Sequence, residues 1–299
     1  MPDAPILTLA HSPDPDDAFM WWPLGDALNG RAPEINTRGL RFTTVALDIE
    51  SLNIRAIGRA DLDITAMSAH AYAHAKDRYA ITSTGASMGD GYGPKLVAKR
   101  EVSLDDLRNG RATIAIPGTR TSAFLTLQLM LGSALNARVV DFEKIIDEVA
   151  AGRADVGLVI HEGQLTFGDE GLVEIADLGA WWKEQTGLPL PLGLNVARRD
   201  LATRLAPTHG EGAMRTLAAV LKDCVAHAMA RREEGLAVAM GYGRGISKER
   251  TDRFVNMYVN DLTVDMGEPG EAAIRRFLGE GAKAGLCPEP GPVDVIRPE

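Results

Sequence analysis

Apolar and polar positions alternate along the chain between two periodicities. A short apolar run, Ile6 to Ala10, precedes a helical pattern around Ala18 to Leu28, and a second strand-like run follows at Phe42 to Leu47. Buried strands separated by amphipathic helices are the pattern of an α/β fold. Two later stretches repeat one construction. In the first, Leu52 to Ile57 is followed by Gly58-Arg59-Ala60-Asp61 and then by the run Leu62 to Met67, ending at Ser68. In the second, Ile145 to Ala150 is followed by Gly152-Arg153-Ala154-Asp155 and then by Val156 to Ile160, ending at His161. Each predicts a short helix stopped at a left-handed glycine, then a buried strand that presents a polar side chain at its carboxyl end. Ligands of open α/β sheets sit outside those strand ends, so Ser68 and His161 are expected to face one site.

Two extended segments bordered by Gly and Pro, Lys95 to Lys99 and Leu190 to Ala197, read as the crossings between two lobes. They predict a discontinuous large lobe, residues 1–97 and 198–299, and an inserted small lobe, residues 98–197. Two crossings imply a hinge and a cleft.

The length of 299 residues agrees with two lobes, and 45% hydrophobic with 24% charged residues describes an ordinary globular chain. The net charge of -9 is spread over mixed surface with no basic stripe, which argues against nucleic acid as a partner. No apolar run approaches the roughly 20 residues of a membrane helix. The opening MPDAPILTLAHS lacks the basic start and apolar stretch of a secretory signal, so the protein is expected in the cytoplasm, with Cys224 and Cys287 as separate thiols.

Four segments carry candidate chemistry. Ile114 to Ala123 passes from strand through Pro117-Gly118 into a helix that Thr121 or Ser122 would cap, where free N–H groups and the helix dipole make a receptor for a carboxylate. A plain cap explains that segment equally well. His11-Ser12-Pro13-Asp14-Pro15-Asp16-Asp17 reads mainly as helix initiation, and its spacing matches neither a calcium loop nor a zinc motif. His70 and His74 share a helix face without the glutamate of a zinc protease motif, so they read first as a solvated or partly buried helical face, with a place for His70 at the cleft edge left open. His161 ends an apolar run where a sheet presents ligands, and imidazole is the usual general base, although position alone slightly favours a structural histidine. Trp181 and Trp182 read as packing between lobes or as a wall of the cleft.

Taken in order, HSPDPDDAF (11–19), SAHAYAH (68–74), GYGP (91–94), IAIPGTRTSA (114–123), IHEGQLTF (160–167), DLGAWW (177–182), TGLPLPLG (186–193) and MYVND (257–261) resemble the 1,4-dihydroxy-6-naphthoate synthases of the futalosine route to menaquinone. The resemblance covers nearly the whole chain. It implies a type II periplasmic-binding-protein-like fold turned into an enzyme for a small carboxylate, with no cofactor, no metal and no membrane partner. His161 matches the family's catalytic histidine, Ser68 a cleft serine, and Thr121, Ser122 and Ala123 the helix start that holds a carboxylate; Ser12, Asp16 and His70 are expected beside them. The chain departs from the family at Asp14 and Asp16, where Cys and Asn are common, and at Thr65-Ala66 in place of Ser-Lys, which removes a positive charge near the site. The related chorismate dehydratases and non-catalytic carboxylate-binding proteins are the alternatives.

Overall fold

The computed structural model describes residues 5–298; residues 1–4, which begin the segment read for a leader, and residue 299 lie outside it. Its strands are β1 Ile6–His11, β2 Arg41–Ala46, β3 Ile64–Ser68, β4 Tyr79–Thr82, β5 Ser87–Gly89, β6 Lys95–Ala98, β7 Thr113–Ile116, β8 Asn136–Val139, β9 Val156–Val159, β10 Val173–Asp177, β11 Leu190–Arg198 and β12 Val295–Ile296. They form a seven-stranded sheet in the order β12-β4-β11-β3-β1-β2, with β5 added on β11, and a five-stranded sheet in the order β10-β6-β9-β7-β8. Within each sheet the strands joined by helices are parallel: β1 with β2 and β3, and β7 with β8 and β9. All five residues of β3 and all four of β9 are buried, as continuous apolar runs between helical layers require. The result is the two-lobed α/β architecture expected, with two sheets and a core on the faces of each.

The lobe boundaries fall earlier than the sequence suggested. Lys95–Ala98 belongs wholly to the smaller sheet, paired with β9 and β10, and Leu190–Arg198 belongs wholly to the larger, paired with β3, β4 and β5. The crossings are therefore 90–94 and 187–189, because each extended segment finds its ladder partners on one side only. The crossings are held tightly: Leu178 N–H donates to the Pro94 carbonyl at 2.9 Å, and a Cβ on Gly179 would collide with the Tyr92 carbonyl. Trp182 is buried edge-on against Phe277 of the large lobe, with ring centroids 5.4 Å apart, so it packs lobe on lobe.

Two local readings need correction. The first helix is Pro15–Trp21 followed by a single 3-10 turn, Trp22–Leu24, because Pro23 cannot continue it and Gly25 turns left-handed at φ 71°. In the two repeats only Gly152, at φ 72°, is the left-handed stop; after the helix Ile49–Gly58 that conformation falls on Ala60, at φ 52°. Among the described residues no helix is long and apolar enough to cross a membrane, and both cysteines are free thiols.

Candidate active site

Between the lobes lies a cavity of about 100 Å³ lined by six of the eight predicted residues: Ser12, Asp16, Ser68, Thr121, Ser122 and Ala123. From the small lobe comes the start of the helix Ser122–Leu131. Thr121 caps it, its hydroxyl accepting from Phe124 N–H at 3.2 Å and donating to the Gly118 carbonyl at 3.0 Å. As first-turn amides, those of Ser122 and Ala123 have no acceptor within the helix and are available to an anion. The Ser122 hydroxyl is already used: it donates to the Leu192 carbonyl at 2.6 Å and accepts from His70 N–H at 3.3 Å, tying the helix start to β11 and to the large lobe. Ser122 therefore contributes backbone rather than hydroxyl.

From the large lobe comes Ser68, at the end of β3. Asn53 grips it twice, accepting from Ser68 N–H at 2.9 Å and donating to its Oγ at 3.0 Å, so the serine proton remains free to donate into the cavity. The fully buried Asn53 also lies 3.3 Å from Glu50 and 3.4 Å from the Arg120 carbonyl. Glu50 in turn accepts from Arg120 N–H at 3.1 Å across the lobe boundary. A side chain at Gly118 would overlap the Glu50 carboxyl, so glycine is required for this approach.

Two predicted residues lie off the cavity wall. His70 is buried behind the helix start, its Nδ1 3.3 Å from the Thr121 carbonyl; it is a brace, held neutral because burial and His74 push its pKa down to about 4. His161 follows Ile160, which does line the cavity, but both ring nitrogens are engaged within the small lobe. Nδ1 accepts from Gly163 N–H at 2.9 Å and lies 3.7 Å from Glu162, and Nε2 stands 3.0 Å from the Phe142 carbonyl. Trp181 and Trp182 do not line the cavity either.

The acidic segment is where sequence reasoning saw least. Ser12 N–H donates to Asp17 at 2.7 Å and Ser12 Oγ to Asp14 at 2.8 Å, while Asp16 lines the cavity beside them. Burial raises the pKa of all three carboxyls, and for Asp16 the charges of Asp17 and Asp14 raise it further. Among the described residues no group of three or more His, Cys, Asp or Glu is arranged to hold a metal ion. Bridging the lobes from the large one, Arg244 binds both oxygens of Glu162 at 2.7 and 2.9 Å, Glu143 at 2.7 Å and Asp14 at 3.1 Å, and stacks 5.0 Å over Phe142. Burial pushes the Glu162 carboxyl up, but His161 and the Arg244 fork outweigh it and hold it below the usual range. A further bond across the lobes joins Tyr258 to Gln164 at 2.9 Å. Arg244, Asn53, Glu50 and Tyr258 were not singled out from sequence; the one signal was Glu50 and Asn53 lying among the apolar positions of a helix face.

Three comparisons bear on this cavity. Residues 7–283 match the model of a family described as menaquinone biosynthesis. The chain is 38% identical over 292 residues to a 1,4-dihydroxy-6-naphtoate synthase of Thermus thermophilus, covering 97% of this chain and 99% of that protein. It is 35% identical to a protein of the same name from Streptomyces coelicolor, covering 99% of both. Among solved structures, protein AF1704 of Archaeoglobus fulgidus superposes with a TM-score of 0.83 at 40% identity, over 94% of this chain and 98% of that one. The alkanesulfonate-binding protein SsuA of Xanthomonas axonopodis pv. citri superposes with a TM-score of 0.68 at 14% identity, over 98% of this chain and 99% of that one, a likeness of periplasmic-binding-protein fold alone.

Proposed function

The chain belongs to the menaquinone-biosynthesis family, and from that premise we propose that it is a cytoplasmic carbon–carbon lyase converting cyclic dehypoxanthinyl futalosine to 1,4-dihydroxy-6-naphthoate. The observation that supports the reading is the capped helix start at Thr121, whose residues Ser122 and Ala123 line the same cavity as Ser68. Two free amides and the helix dipole suit the carboxylate of an aromatic acid, and the Ser68 hydroxyl adds a donor from the opposite lobe.

The cavity of about 100 Å³ lies well below the ~300 Å³ at which small-molecule sites begin, so the lobes part to admit this ligand and close on it. In the reading proposed here, His161 is the general base that removes a proton to start the cleavage. To act, its ring leaves the Phe142 carbonyl and the Gly163 N–H and turns toward the cavity beside Ile160 once the ligand is in place. Aromatisation of the product then drives the reaction. A base of this kind contributes roughly 10² to 10⁴-fold, and positioning with exclusion of water supplies the rest.

Incubating the purified protein separately with cyclic dehypoxanthinyl futalosine and with chorismate, followed by mass spectrometry, tests the assignment. The expected result is 1,4-dihydroxy-6-naphthoate from the first and no product from the second. A carboxyvinyl benzoate from chorismate, or binding of either compound without turnover, overturns it.

A further inference from the structure

Asp16 differs from every other carboxyl at the cleft. The residue is only 8% exposed and lines the cavity, yet no side chain among the described residues is hydrogen-bonded to it. Its neighbours are all provided for: Asp14 by Ser12 and Arg244, Asp17 by Ser12 N–H, Glu162 by Arg244. Only the backbone amides of its own turn, at Asp16 and Asp17, approach its carboxyl.

The charged and titratable groups around it do not favour an anion. Asp14 and Asp17 flank it on the same turn, Tyr258 faces it from the helix Lys248–Tyr258, and His11 lies behind Asp17. Arg244, Glu162 and His161 are reached only through Asp14, where Arg244 is already shared by three carboxylates. Burying an ionised carboxylate with like charges beside it and no cation of its own is costly, and a proton removes that cost. A carboxylic acid then has an O–H to donate, and the cavity is the open direction for it.

We propose that Asp16 is carried in the cleft as a neutral carboxylic acid and that its O–H is a hydrogen-bond donor to a carbonyl or phenolic oxygen of the bound aromatic acid. This deepens the function proposed above and rests on it for the identity of the ligand. Asp16 thereby contributes to specificity: in its neutral form it accepts a carboxylate-bearing ligand that an ionised Asp16 would repel. Since the donor exists only in the protonated state, binding is retained below the Asp16 pKa and falls as pH rises through it.

The test uses 1,4-dihydroxy-6-naphthoate as the probe, with its affinity measured by calorimetry across pH for the wild type, Asp16→Asn and Asp16→Ala. Asp16→Asn, whose amide donates at every pH, is expected to bind within about tenfold of wild type at neutral pH and to lose the decline that wild type shows on the alkaline side. Asp16→Ala is expected to weaken binding roughly 5- to 100-fold, in line with one lost buried hydrogen bond. Difference infrared spectra of the ligand-free wild type and Asp16→Asn provide a second readout that does not depend on the ligand: wild type should carry a neutral-acid carbonyl stretch that the variant lacks, over and above any shared by the two. Absence of that band, or identical pH profiles for wild type and Asp16→Asn, overturns the proposal. Failure of the wild type to bind the naphthoate at any pH, with the band present, overturns the functional reading instead.

Discussion

Replacing Arg244 by Gln removes the cation that holds the two lobes over His161. Arg244 makes a fork to Glu162, whose side chain is 3% exposed, and single contacts to Glu143 and Asp14. Glu162 also lies 3.7 Å from His161 Nδ1, but that nitrogen accepts from Gly163 N–H, so Arg244 is the partner that supplies the buried carboxylate with a permanent positive charge. Stripping the partner from a buried charge costs about 3–5 kcal/mol. The low end applies, because Arg244 itself is 25% exposed, and the half-exposed Glu143 contact adds little. That cost falls on the closed form alone, since opening returns Glu162 to water. A shift of about 3 kcal/mol is roughly 150-fold in the open-to-closed ratio. Two assays read it: the radius of gyration by X-ray scattering, and affinity for 1,4-dihydroxy-6-naphthoate by calorimetry. Arg244→Gln should be more expanded without ligand and bind about 10- to 100-fold more weakly, and adding Glu162→Gln should recover much of the loss by removing the stranded charge. An unchanged radius and affinity in Arg244→Gln would refute the latch.

Two further outcomes follow from the same geometry. His70 has a pKa of about 4 in the fold against about 6.5 unfolded, so protons favour the unfolded chain: stability is full above pH ~6.5, erodes as pH falls toward 4, and levels off below. The erosion amounts to about 3 kcal/mol at most, and denaturant titrations from pH 7 to 4 should show it reduced in His70→Gln. Asn53→Ala removes both bonds that aim Ser68 and the link to Arg120, and should raise KM for the cyclic substrate more than it lowers kcat, with a destabilisation of about 1–3 kcal/mol. Equal losses in kcat and kcat/KM with KM unchanged would show that Ser68 acts only in the transition state.

The positions legible in the sequence are those governed by local rules. Strand ends follow from apolar runs and the helix start from Pro117-Gly118 and Thr121, and six of the eight predicted residues share one cavity. The use each residue makes of its atoms was not legible, because it is set by distant partners. Ser122 spends its hydroxyl on a carbonyl 70 residues away, and His161 parks on one 19 residues back. Arg244 sits in a glycine-rich loop with no periodic pattern, at φ 49°, and its contacts to Asp14 and Glu162 span 230 and 82 residues. Nothing in its neighbourhood announces them. Glu50 and Asn53 are the intermediate case: two polar residues one turn apart, buried on a helix face with Leu52 and Ala56, where an uncompensated polar group would be costly.

The central claim, that this cleft carries out chemistry through His161, is tested most directly by the single-turnover rate of His161→Ala on cyclic dehypoxanthinyl futalosine, measured beside its affinity for the naphthoate. The account predicts a rate lowered roughly 10² to 10⁴-fold with naphthoate binding retained. A near wild-type rate from a variant that still binds the naphthoate would contradict it and leave His161 as the cap of its 3-10 turn.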